Sequence, residues 1–160
     1  MEILKSDEKF MQLAINLARQ GMTSGQGGPF GCVIVKNGEV IGQGCNEVLA
    51  KVDPTAHAEI VAIRNACTNL NNFQLEECDV YTSCEPCPMC LGALYWARVR
   101  KVVYANTRYD AAAIEFDDDF IYQEINTSFM QRKIPFVHLP HADAIDVFRQ
   151  WKNMGDKIKY

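Results

Sequence analysis

Two short runs, His57-Ala58-Glu59 and Pro86-Cys87-Pro88-Met89-Cys90, constrain this chain more than any other part of it. Cys87 and Cys90 are soft donors at C-x-x-C spacing, and His57 is a third donor of a kind zinc accepts. Such spacing at the start of a helix puts both thiols on one face. The exposed N–H groups there favour the thiolate, which is the form that binds metal. A fold for this chain must therefore carry His57 to the Cys87–Cys90 turn. Zinc with three protein ligands keeps a fourth position open and does chemistry, and Glu59 is the carboxylate that would stand beside it.

Glu59 carries a geometric condition. Residues two apart on a helix point about 200° away from each other. With His57 in the first turn, the two side chains converge only if the ion sits at the helix start, where side chains lean toward the N-terminus. Other readings of the cysteines stand beside this one. Cys84, Cys87 and Cys90 form C-x-x-C-x-x-C, which with His57 would make a closed structural site. The run also resembles part of an iron–sulfur motif, but no further cysteine follows between Leu91 and Leu94. A pair of metal-free structural cysteines is the plainest alternative. Glu59 has no task in a closed site, which favours the open one. Cys84 lies at a strand end and reads as core, Cys32, Cys45, Cys67 and Cys78 read as small buried hydrophobes, and His138 and His141 as solvated or structural histidines rather than ligands.

The remaining composition narrows the function classes. The 160 residues suffice for one domain with a core, so a single domain over 1–160 is expected. No apolar run approaches the roughly 20 residues that cross a bilayer, and the first residues show no export signal. The expectation is therefore a cytoplasmic protein with no membrane partner. A net charge of −4 and the lack of a Lys/Arg cluster argue against nucleic acid, since phosphate neutralisation supplies most of that affinity. Arg98, Arg100 and Lys101 read as a solvated run.

Alternating periodicities predict an α/β fold. A helix capped by Ser6 carries Phe10, Leu13, Ala14 and Leu17 on one face and stops at Gly21. Phe30–Lys36 and Glu39–Glu47 form a hairpin about Asn37-Gly38, with Gly42 and Gly44 marking a bulge or a close backbone approach. A second helix starts at Asp53-Pro54. Strands follow at Cys78–Ser83, Val99–Ala105 and Ile134–Leu139. Helices begin near Pro88, over Ala111–Ile125 and after Asp143.

Thr55-Ala56-His57-Ala58-Glu59 and Cys84-Glu85-Pro86-Cys87-Pro88-Met89-Cys90-Leu91-Gly92-Ala93 resemble the cytidine deaminase superfamily, whose signature is H-x-E with P-C-x-x-C. Gly27-Gly28-Pro29-Phe30-Gly31, the stretch from Phe116 through Asp117-Asp118-Asp119 to Tyr122, and terminal Tyr160 narrow the resemblance to the bacterial guanine deaminases. The resemblance implies a three-layer α/β/α sandwich around a mixed five-stranded sheet, and one Zn²⁺ on His57, Cys87 and Cys90. It implies hydrolysis of guanine, with Glu59 and Asp118 catalytic. Asn46 would hold the purine edge, with Phe30, Trp96 and Tyr160 as apolar walls. The first-turn amide of Ala58 is a further donor to the ring or the water. A homodimer is implied in which residues 143–160 cross to the neighbour. Cytosine, cytidine or a tRNA adenosine remain alternative substrates, and a zinc-stabilised binding module without turnover remains the alternative from another class.

Overall fold

The computed structural model describes residues 5–116 and 118–158, in two compact units that divide at Tyr122 and Gln123. The first unit holds helices α1 (Lys5–Thr23), α2 (Val48–Lys51), α3 (Ala58–Leu70), α4 (Pro88–Ala97) and α5 (Arg108–Ala112). Its strands are β1 (Gly31–Lys36), β2 (Glu39–Cys45), β3 (Cys78–Cys84) and β4 (Lys101–Asn106). Helix α6 (Asp119–Asn126) spans the division, and α7 (Ala142–Asn153) lies in the second unit.

The sheet has the order β2-β1-β3-β4 and is mixed: β1 pairs antiparallel with β2 and β3, while β3 and β4 run parallel across the α4 crossover. Asn37 and Gly38 both have positive φ, 52° and 83°, and close the β1–β2 hairpin. Strand periodicity then sorts the core. Val33, Val35 and Tyr81 face α1 with Phe10 and Ala14, whereas Cys32, Ile34 and Val80 face α3 and α4 with Ala62, Ala66 and Leu94. Helices therefore cover both faces of the sheet. Complete burial of Ile34 alone is worth roughly 1.5–3 kcal/mol.

The contact that positions the site is α3 on β2. Ala58, Ala62 and Ala66 recur every fourth residue and are fully buried. They approach the strand closely because β2 offers Gly42 and Gly44 there: a Cβ at Gly42 would lie 2.5 Å from the Ala62 carbonyl, and one at Gly44 2.7 Å from that of Ala58. The register also shifts between Ile34 and Val35, whose partners are Gly42 and Val40, so Gly42 stands beside a bulge as well, whereas Gly44 marks a close approach alone.

Several boundaries differ from expectation. The second helix starts at Ala58, not Asp53; Asp53 instead closes a turn, its Oδ1 accepting from Thr55 N and Oγ1 at 2.8 and 2.7 Å. Gly21 does not stop α1, which runs to Thr23, and its lack of a side chain makes room for Cys45. The Ala111–Ile125 region is two short helices with a turn between them. Asp7 is buried and accepts from the Tyr81 hydroxyl and from Lys101, while Arg100 forms a fork with Asp79 at 2.8 and 2.9 Å. Arg100 and Lys101 are thus spent on internal carboxylates rather than simply solvated.

The fifth strand expected at Ile134–Leu139 is not formed. Among the described residues the sheet has four strands, and residues 134–139 carry no regular element. Apolar residues such as Ile134, Phe136 and Val137 carry strand propensity, but a strand exists only where a partner takes its backbone hydrogen bonds. The second unit contains a short turn of 3₁₀ helix at Phe129–Gln131 and α7. There Arg132 lies over the rings of Phe129 and Phe136, and Ile134, Val137, Leu139 and Phe148 are exposed. No helix among the described residues is long and apolar enough to cross a membrane.

Substituting Gly42→Ala should push α3 off β2 and cost about 1–3 kcal/mol, as overpacking does. Thermal unfolding should show the melting temperature falling by about 2–4 °C for each kcal/mol. An unchanged melting temperature would mean that the α3–β2 approach is looser than the structure has it.

Candidate metal centre and cavity

His57 and Cys87 occupy equivalent places in two helices. Each is an N-cap with extended backbone, φ/ψ −69°/157° and −65°/167°. Pro88 follows Cys87 at the first helical position, where its missing N–H costs nothing. Because His57 precedes the helix, the 200° separation that would divide it from Glu59 does not apply. The convergence that spacing made conditional is achieved by the cap.

His57 Nδ1 lies 3.5 Å from Cys87 Sγ and 3.6 Å from Cys90 Sγ. A tetrahedral zinc with bonds of about 2.0–2.1 Å to nitrogen and about 2.3 Å to sulfur holds such donors roughly 3.6 Å apart. The donor set and its spacing therefore fit zinc. Cys87 is pulled down to about 4, first by the hydrogen bond from the Cys90 thiol and then by His57. The same hydrogen bond, together with burial, pushes Cys90 up. Ligation of a cation requires both sulfurs as thiolates and so releases protons.

Cys84 does not join them. Among the described residues the donor cluster is His57, Cys87 and Cys90. The Cys84 thiol donates to the Thr107 carbonyl at 3.5 Å, and burial raises it to about 11. Three donors leave the centre open, as a catalytic zinc requires. Of the histidines set aside as non-ligands, His141 caps α7, accepting from Asp143 N at 3.3 Å.

The centre opens into a cavity of about 460 Å³. His57, Glu59, Cys87, Phe30, Asn46 and Asp118 line it, so six of the residues singled out in the sequence meet there. Glu59 is 6% exposed, and burial raises its pKa. Thr82 opposes that shift by donating from Oγ1 to Glu59 Oε1 at 2.9 Å. Asn46 is locked by its own carbonyl oxygen, which accepts from Gly28 N at 3.3 Å and Val48 N at 3.2 Å. Its NH₂ is thereby left as the group to meet a ligand. Asp118 Oδ1 is buried with no hydrogen-bond partner among the described residues, an acceptor awaiting a donor.

Ala58 is buried at the first turn of α3, directly after His57. Trp96 is not brought to the cavity. Cys90, Leu94 and Ala97 take the buried face of α4, which leaves Trp96 71% exposed. Tyr160 and Asp117 lie outside the described residues.

Thr82, Glu85 and Phe116 were missed as site residues. The signal for Thr82 was a hydroxyl two residues beyond Val80, on a strand face otherwise turned to the core. Glu85 braces the loop that carries Cys87. Its Oε2 accepts from Arg108 N at 3.0 Å and its own N–H donates to the Asn106 carbonyl at 2.8 Å, while the Tyr122 hydroxyl holds Pro86 O at 2.9 Å. Nothing in the local sequence announces such long-range partners.

Comparison with known proteins agrees with this centre. Residues 4–106 match the family described as the cytidine and deoxycytidylate deaminase zinc-binding region. Guanine deaminase of Bacillus subtilis (strain 168) is 50% identical over 153 residues, 96% of this chain and 98% of that protein. Its X-ray structure superposes with a TM-score of 0.93 over the same shares of the two chains. A guanine deaminase structure from Nitrosomonas europaea is 34% identical, with a TM-score of 0.68 over 73% of this chain and 68% of that one. A tRNA-specific adenosine deaminase of Haemophilus influenzae is 39% identical over 119 residues, 71% of this chain and 68% of that protein.

Elemental analysis separates the ligands. Cys87→Ala should lose stoichiometric zinc, whereas Cys84→Ala should keep it. Retention by the first variant and loss by the second would make Cys84 the ligand.

Proposed function

The chain belongs to the cytidine and deoxycytidylate deaminase family, and from that premise we propose that it hydrolyses guanine to xanthine and ammonia. The observation that carries this reading is Glu59, a buried carboxylate lining the same cavity as the open three-donor centre. The choice of guanine rests on the relative that is half identical along nearly the whole chain.

His57, Cys87 and Cys90 hold the zinc, which when bound supplies the Lewis acidity that makes water a nucleophile near neutral pH. Glu59 takes the proton that water gives up on adding to carbon 2 of the purine. It passes that proton to the ring and then assists a second transfer to the departing amine. The C–N bond to the amino group breaks and ammonia leaves. Thr82 fixes the carboxylate for both transfers, because its hydroxyl occupies one lone pair of Oε1 and restrains the side chain.

Asn46 presents its NH₂ to the carbonyl oxygen of guanine, since its own oxygen is engaged. Asp118 accepts from the amino group and the adjacent ring N–H, and an Oδ1 with no hydrogen-bond partner among the described residues suits that task. The Ala58 amide donates to the metal-side edge of the ring. Phe30 forms an apolar wall of the pocket.

The working form is a homodimer with its C-terminal segments exchanged. Support comes from the apolar residues that the second unit leaves exposed, Ile134, Val137, Leu139 and Phe148. In that assembly residues 134–139 find the partner they need to become a fifth strand. Tyr160 is assigned the closing of the neighbour's pocket.

Ammonia release by zinc-loaded protein, measured with guanine, cytosine, adenine and their nucleosides, should show guanine far ahead. Preference for another base would sink the substrate assignment. Glu59→Ala should retain zinc and lose nearly all turnover. Thr82→Val, which keeps shape but removes the hydroxyl, should lower kcat about 10–100-fold with zinc content unchanged, the scale of a hydrogen bond to a charged group. Light scattering should give twice the 18.1 kDa chain mass, and a monomer would remove the exchange.

A further inference from the structure

Phe116 lines the cavity, yet neither the metal centre nor the polar grip on the base gives it a task. The chain reaches that place through an uncommon turn. Glu115 has φ of 71°, a left-handed conformation that costs a residue with a side chain. The turn is closed by Glu115 N donating to the Ala112 carbonyl and Phe116 N to that of Ala111, both at 3.1 Å. Strain of this kind persists where the surroundings over-determine it. Here the surroundings are aromatic. The rings of Phe116 and Phe30 meet edge to face, with centroids 4.9 Å apart and planes at 89°.

Gly28 completes the arrangement. A Cβ there would stand 2.7 Å from Phe116 Cζ and 3.0 Å from Phe30 Cε2. The glycine loop, the residue before β1 and the α5–α6 turn thus converge on one aromatic corner. Despite that pairing Phe116 remains 42% exposed, so part of its ring is free to meet a ligand. A flat base has an apolar π-face, and an aromatic side chain is what such a face binds well.

We propose that Phe116 is a substrate-binding residue that sets affinity for the base. With Phe30 it forms an aromatic corner that grips the purine face, and Gly28 is required for its ring to stand there. This rests on the reading of the cavity as a guanine site. The grip acts away from the reacting carbon and is the same before and during reaction, so it sets KM rather than kcat.

The experiment is a double-mutant cycle on zinc-loaded protein, with guanine as substrate and with zinc content and melting temperature recorded for every variant. Phe116→Ala should raise KM about tenfold and leave kcat within about threefold, within the range for loss of one base–aromatic stack. Phe116→Leu, which keeps apolar bulk, should shift KM in the same direction by less. Gly28→Ala should raise KM in the native background and raise it by less when Phe116 is already alanine, because the 2.7 Å clash with Phe116 is then gone and only the 3.0 Å approach to Phe30 remains. Unchanged KM in both Phe116 variants, alongside normal guanine turnover by the native protein, overturns this inference alone. Equal harm from Gly28→Ala in both backgrounds overturns the part assigned to Gly28. No guanine turnover by the native protein overturns the reading of the cavity, and this inference with it.

Discussion

The docking of one helix start against another is the interaction on which the rest of the molecule turns. His57 and Cys87 each stand one residue before a helix, and their donor atoms approach to 3.5 Å. Neither helix would hold that position alone. The first is set by alanines lying on the glycines of β2, and the second by the loop that β3, β4 and Glu85 brace. The metal site is therefore a consequence of sheet packing, since its donors come from elements that the sheet edge-to-face contacts fix independently.

Placing the donors at N-caps has two chemical effects. The backbone leaves the helical path there, so a side chain can share a target with a residue two positions on. The unpaired N–H groups of the first turn also favour anionic ligands. Both effects serve Glu59, whose burial would otherwise be costly. A buried carboxylate with a raised pKa, restrained by a hydroxyl and facing a cation site, is suited to taking up and giving back a proton. The remaining walls divide the labour. Asn46 and Asp118 offer a donor and an acceptor of fixed identity, and the phenylalanines offer a surface indifferent to hydrogen bonding.

Much of this was legible one segment at a time. The Asn37-Gly38 hairpin, the strand around Val80 and the helix after Pro88 are written in local chemistry. So are the three metal donors, because C-x-x-C and H-x-E leave few other uses for those residue types. What misled the sequence reading was everything decided at a distance. Asp53-Pro54 has the chemistry of a helix start but closes a turn, because the true start is set where α3 meets β2. Gly21 has the chemistry of a helix stop but serves to admit Cys45. Trp96 sits on a helix whose buried face was fixed by Leu94 and Ala97. Residues 134–139 are as apolar as a strand, yet a strand needs a neighbour.

By itself, then, the sequence determined the alternation of strands and helices, the donors and the proton-carrying acid, since each depends on residue type and short spacing. Only the tertiary structure decided that His57 would be a cap and that Thr82 would hold Glu59. Those outcomes depend on which surfaces pack and how closely. Packing is a contest among all parts of the chain at once, and no single stretch of residues encodes its result.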